Sequence, residues 1–259
     1  MSENYGNPFP YYEPPQAPPP PANAWQMSEP ASAPLPLGEA IRQLPRQYFT
    51  VLTKPKAATF TREQGKAAWN IIWVQLAVYS VLNTLAALII YNMTLPNMMA
   101  NLNAIYQQSM TPEMFQQMQP FLQFYTIFTG PFGLLLLVIT PTVVFLSAGI
   151  FHLVAKMLGG QGRFPTYLYC YLLIAVPIGL MVSLLNMIPW AGSYLAFPAS
   201  IYLYVLLGLM TKAVHRVSGG KAVAVVLIPI GLYFVLAVIF GFVLALYIIS
   251  HMAIPPATP

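Results

Sequence analysis

Five long apolar tracts divide the chain, at about 67–91, 127–155, 166–188, 193–211 and 222–250, and none of their interiors holds Asp, Glu, Lys or Arg. Each is long enough to cross the roughly 30 Å hydrocarbon layer as a helix, which takes about 20 residues. A backbone immersed in lipid must satisfy its own polar groups, and this favours closed helices over irregular chain. Membrane-spanning strands would alternate in face, whereas LLLLVITPTVVFLSAG, residues 134–149, does not alternate. The pattern therefore predicts an all-α polytopic membrane protein, a bundle of five transmembrane helices filling residues 67–250.

The polar positions between the tracts assign sides. Arg42, Arg46, Lys54, Lys56, Arg62 and Lys66 precede the first tract; Lys156 and Arg163 lie between the second and third; Lys212, Arg216 and Lys221 lie between the fourth and fifth. These are all eleven basic residues, and the connections 92–126 and 189–192 and the segment after 250 hold none. Lys/Arg bias in short connections sets orientation. The N-terminus and the second and fourth connections are thus expected in the cytoplasm, with 251–259 as a short extracytoplasmic tail. Composition agrees: with 58% hydrophobic and 7% charged residues, a water-soluble domain would lack the polar groups to cover its surface.

Two different segments precede the first span. From Pro8 to Pro30 nine residues are proline, and the region has little aliphatic content. Residues 1–37 are expected to be a disordered Pro-rich cytoplasmic arm. It lacks the basic start and apolar core of a secretory signal, so the first span is expected to serve for insertion. Tyr5, Phe9, Tyr11, Tyr12 and the PPPP run at 18–21 could serve as docking points, but a solvated tether with scattered aromatics is the favoured reading. Residues 38–66 differ, since Ile41, Leu44, Tyr48, Val51 and Leu52 recur at helical spacing beside Arg42, Arg46 and Lys54. This is an amphipathic membrane-proximal segment, lying on headgroups or packed on the loops, and Pro45 is expected to bend or split it.

Catalytic chemistry finds few residues to work with. The chain has no Asp; four of its six Glu residues lie in or beside the arm, and Glu113 is the single carboxylate on the outer side. Paired-carboxylate and two-metal chemistry are excluded there. Cys170 is the only thiol and falls inside the third span, as expected of an inert buried cysteine. His152, His215 and His251 lie near span ends, with His251 on the opposite side from the other two, so no three-histidine metal site follows. Ser147 and His152 are poorly matched in face and have no orienting acid. Met93, Met98, Met99, Met110, Met114 and Met118 crowd the first outer connection, and thioethers can hold Cu(I). No Cys or His accompanies them, and a short helix starting near Thr111-Pro112 with its Met face on the bundle or bilayer explains the same spacing. No cofactor, metal or nucleic-acid partner is expected.

The knot TKAVHRVSGGK, 211–221, crowds three cations into a short loop. Lys212 complements the negative end of the fourth helix, and Gly219 and Gly220 are expected to make the turn. Lys212, Arg216, Lys221, Arg62 and Lys66 share one side and form the candidate interaction residues, for anionic headgroups or a protein partner. Pro141, Pro177, Pro198 and Pro229 predict kinked spans whose freed carbonyls could line a path, so a small permease or lipid-handling protein is the alternative. Asn83 and Gln75 in the first span are read as interhelical hydrogen-bonders.

TKPKAATF at 53–60, the five spans with a minimal outer tail, and IPWAGSYLAFPASIYLYVLLGLMTKAVHRVSGGKAVAVVLIP at 188–229 resemble the Yip1 domain family. The last element carries the family's pattern of a Pro/Gly turn, a Tyr-containing span ending in an LG step, a basic loop and a Lys-Ala start to the final span. The resemblance covers about 50–250. It implies a non-enzymatic adaptor or membrane organiser, linked to membrane trafficking or envelope organisation. Eukaryotic members bind Rab GTPases; this chain lacks their DLYGP-like cytosolic motif, which points to a prokaryotic plasma membrane. Oligomeric state is left open.

The charge parity makes a direct prediction. Cysteines introduced at Ser109 and Thr258 should react with an impermeant thiol reagent in intact cells, and one at Ser32 should not. The reverse pattern inverts the topology, and a mixed one means that the spans are miscounted.

Overall fold

The computed structural model describes residues 35–109, 131–188 and 191–251, with 112, 116, 119, 120 and 123 between them. Among these stand seven α-helices: α1 (Leu37–Thr53), α2 (Ala57–Glu63), α3 (Trp69–Ser109), α4 (Leu136–Met157), α5 (Phe164–Leu185), α6 (Gly192–His215) and α7 (Gly219–His251). Short 3-10 turns, Gln64–Lys66 and Pro131–Leu135, precede α3 and α4. No strand occurs among the described residues. Five helices are long and apolar enough to cross a membrane, over Trp69–Met93, Gly133–Met157, Phe164–Leu185, Gly192–His215 and Gly219–Tyr247. The molecule is an all-α integral membrane protein, as the tracts predict.

Helix α3 continues well past the apolar tract, to Ser109. Hydropathy marks where lipid ends, whereas a helix persists for as long as its backbone bonds do. The outer connection is therefore partly helix. The residues that motivated the methionine reading, Met110, Met114 and Met118 with Glu113, lie outside the described residues, as do 1–34 and 252–259.

Helix α5 forms the axis. Every residue from Tyr167 to Val176 except Tyr171 is buried, so the helix is enclosed on all sides along that stretch. Helices α3, α4, α6 and α1 pack around it. Pro141, Pro177, Pro198 and Pro229 all lie inside helices. Three polar side chains in the apolar interior find one another. Asn83 of α3 donates through Nδ2 to the Thr140 hydroxyl of α4 (3.3 Å) and accepts from Ser183 of α5 at Oδ1 (3.4 Å). Such bonds join helices where neither lipid nor water could serve.

Helix α1 is docked on the bundle. It buries Ala40, Leu44, Gln47 and Val51, one helical face, against α5 and α3. Three tyrosines pin it: Tyr169 of α5 donates to Gln47 Oε1 (2.9 Å), Tyr202 of α6 to the Leu52 carbonyl (2.5 Å), and Tyr48 of α1 to Gln75 Oε1 of α3 (3.2 Å). Burial raises the Tyr48 hydroxyl far above the ordinary tyrosine pKa, so it acts as a neutral donor. Phe60 of α2, fully buried, anchors the second helix, which packs on α6. Of the two outcomes expected at Pro45, a bend or a split, the split does not occur: α1 is continuous through it. Pro45 and Ile41, four residues earlier, are both exposed, so solvent can serve the carbonyl left without its usual donor.

The tyrosine pins carry a measurable load. Tyr169→Phe combined with Tyr202→Phe should weaken the docking of α1 by about 2 kcal/mol, at roughly 1 kcal/mol per lost bond. Amide hydrogen exchange in 37–53 should accelerate while exchange in α5 is unchanged. Unaltered exchange would place the docking in apolar contacts alone.

Candidate functional site

The α4–α5 and α6–α7 connections meet at the end of the bundle where the basic residues collect. Helix α4 ends in LGGQGR, 158–163, where Gly159 takes a left-handed φ of 90° and the Gly160 N–H closes on the Ala155 carbonyl at 2.8 Å. Helix α6 ends at Arg216, with φ 54°, so this residue makes the turn, while Gly219 and Gly220 open α7. The sequence expectation put the turn on the glycines. The reversal follows from the contacts made just before it: the Gln161 N–H donates to the His215 carbonyl at 3.1 Å and fixes the end of α6 against the other loop. Lys221 completes the junction by donating from Nζ to the Leu158 carbonyl at 2.9 Å. That bond serves a carbonyl orphaned at the end of α4.

Behind the loops lies a histidine pair. His152 Nδ1 and His215 Nε2 are 3.1 Å apart, and both side chains are buried. The Gly162 N–H donates to His215 Nδ1 (3.2 Å). Nδ1 is then the acceptor, and the proton sits on Nε2, aimed at Nδ1 of His152. Tyr167, hydrogen-bonded to Thr211 at 3.1 Å, packs its ring 5.1 Å from His215, and Phe164 stands edge-on 5.4 Å from His152. The chain of bonds runs from the loop backbone through two imidazoles, linking α4, α6 and the start of α5. No carboxylate among the described residues joins it, and Ser147, weighed with His152 as a hydrolytic pair, interacts instead with Tyr171. Among the described residues no three His, Cys, Asp or Glu side chains gather to hold a metal. Sequence reasoning placed His152 and His215 on the same side, but nothing in a separation of 63 residues signals contact.

The five candidate interaction residues fall into two places. Lys212 is half-buried in the last turns of α6, Arg216 is exposed at the turn, and Lys221 is held by Leu158. Arg62 and Lys66 instead flank the buried carboxylate of Glu63, with Nε at 3.1 Å and Nζ at 2.6 Å. They line a groove between α1 and α2 together with Arg42 and Arg46, a groove that Lys212, Arg216 and Lys221 do not line. Exposed Arg163 joins the loop group instead.

Among known families, the chain matches the model of the Yip1 domain over residues 49–253. No curated protein and no solved structure matches significantly. The matched region runs from within α1 through the whole helical bundle.

Close approach at the loops makes glycine obligatory. A Cβ at Gly160 would stand 2.5 Å from His215 Nδ1 and 2.7 Å from the Ala155 carbonyl, where little can give way. Gly160→Ala should therefore destabilise the protein by about 1–3 kcal/mol, as overpacking does. A thermal unfolding curve of the detergent-solubilised chain should show the loss, while Gly208→Ala, in open space, should leave Tm unchanged.

Proposed function

The chain belongs to the Yip1 domain family, and from that membership we propose that it works without catalysis, as an adaptor or organiser of its membrane, through the basic end of the bundle. The observation that carries this reading is the gathering of cations from three separate stretches of chain onto docked helices and knitted loops. The stretch from α1 to the 3-10 turn before α3 brings six of them, the end of α4 and the connection after it Lys156 and Arg163, and the α6–α7 junction Lys212, Arg216 and Lys221. The loops are held by Gln161, Gly162 and Lys221, so the charges they present have defined positions. A rigid surface of one sign suits recognition of an acidic protein face or of anionic headgroups.

This end faces the cytoplasm on the charge rule, with the C-terminus outside. The missing DLYGP-like motif supports a prokaryotic plasma membrane. The permease reading receives no such support. Leu173, Ile174, Val176 and Ile178 are buried around Pro177, and Pro177 itself opens onto an apolar groove with Leu180, Met181 and Leu184. Tyr48 is the polar side chain on that groove, and its hydroxyl already donates to Gln75.

Arg163→Gln with Arg216→Gln tests the proposal, because both side chains are exposed and neither is used in the loop bonds described. In native membranes, crosslinks from the 158–163 and 216–218 loops to a protein partner should be lost, with insertion and Tm retained. Undiminished crosslinking in the correctly inserted double variant removes the loops from recognition.

A further inference from the structure

Between α1 and α2 lies a groove of about 850 Å3 whose lining includes Arg42, Arg46, Arg62 and Lys66 against Glu39 and Glu63. The two carboxylates are already engaged. Glu63 is buried, with one oxygen on Arg62 Nε and the other on Lys66 Nζ, and Glu39 accepts from the Gln43 amide at 3.1 Å. Arg62 uses only its Nε in that pair, so the outer edge of its guanidinium remains turned to other acceptors. Arg42 and Arg46 sit one turn apart on α1, where like charges repel, and among the described residues neither forms an ion pair. A groove that concentrates positive charge beyond what its own acids neutralise is built for an anion. Three guanidinium groups select its shape, since their forked N–H donors match the oxygens of phosphate in pairs.

We propose that this groove binds a phosphate monoester. Lys66 lies three residues before Trp69, where the first span begins, so the groove sits at the level of lipid headgroups. The group can come from a lipid such as phosphatidic acid or from a soluble phosphate ester, and the chemistry of recognition is the same. The inference deepens the reading of the basic end and rests on it for the side of the membrane faced. It concerns α1 and α2, not the loops.

The test uses the full chain purified in a neutral detergent, with native mass spectrometry after addition of phosphatidic acid, phosphatidylcholine or glycerol 3-phosphate. Phosphatidic acid should be retained at least tenfold over phosphatidylcholine, and Arg42→Gln with Arg46→Gln should cut that retention roughly thirtyfold, about 1 kcal/mol for each basic residue removed. Arg46→Gln alone, should the double variant fail to fold, should move it in the same direction. Competition by glycerol 3-phosphate identifies a site for the phosphate ester itself, whereas retention of the lipid alone identifies a headgroup site that also needs the acyl chains. Equal retention of phosphatidic acid and phosphatidylcholine, or full retention in the arginine variants, overturns the proposal. Arg163→Gln with Arg216→Gln should keep phosphate binding while losing protein crosslinks, so failure here and failure of the adaptor reading are told apart.

Discussion

Helix α5 has no face free for water or lipid from Tyr167 to Val176 apart from Tyr171, and it carries two tyrosine hydroxyls into that enclosure. A buried hydroxyl without a partner is costly, and in a membrane protein the surrounding lipid offers none. Among the described residues Tyr169 is satisfied by Gln47 of α1, and Tyr167 by Thr211 of α6. The burial of α5 therefore requires α1 to be in place. An amphipathic helix that could have lain on the bilayer becomes part of the bundle, and α2 follows it with Phe60 buried.

Positioning at the basic end follows from that docking. With α1 and α2 fixed, Arg42, Arg46, Arg62 and Lys66 border one groove. The remaining cations are held by a second set of bonds, in which His215 contributes its carbonyl to Gln161 and its ring to Gly162 and His152. Two rigid clusters result, one between the docked helices and one on the loops. Surface charge of this kind contributes little to stability. Its fixed geometry reduces what must be ordered on binding.

The chain belongs to the Yip1 domain family, and the match covers the whole helical bundle. The spans are closed by packed side chains and joined by short polar bridges such as Asn83 to Thr140 and Ser183. The family match begins at residue 49, near the end of α1, and runs through α2 and the bundle. Helix α7 exposes a long run of large apolar side chains, from Val223 to Tyr247, as lipid contact demands.

The five spans and the grouping of cations were legible in the sequence because both are local quantities: a stretch is apolar over about 20 residues or it is not, and a charge lies between two stretches or within one. The helical nature of 38–53 was legible as well, from Leu44, Tyr48 and Val51. Its burial was not, because the same apolar stripe suits a bilayer surface and a protein surface. The turn at Arg216, where glycines stood three residues on, and the unbroken passage of α1 through Pro45 were settled by contacts that override local preference. The histidine pair and the four-cation groove join residues with no pattern between them. Periodicity records which face of a helix avoids water, but only packing in three dimensions chooses what that face meets and which distant polar groups are brought within bonding reach.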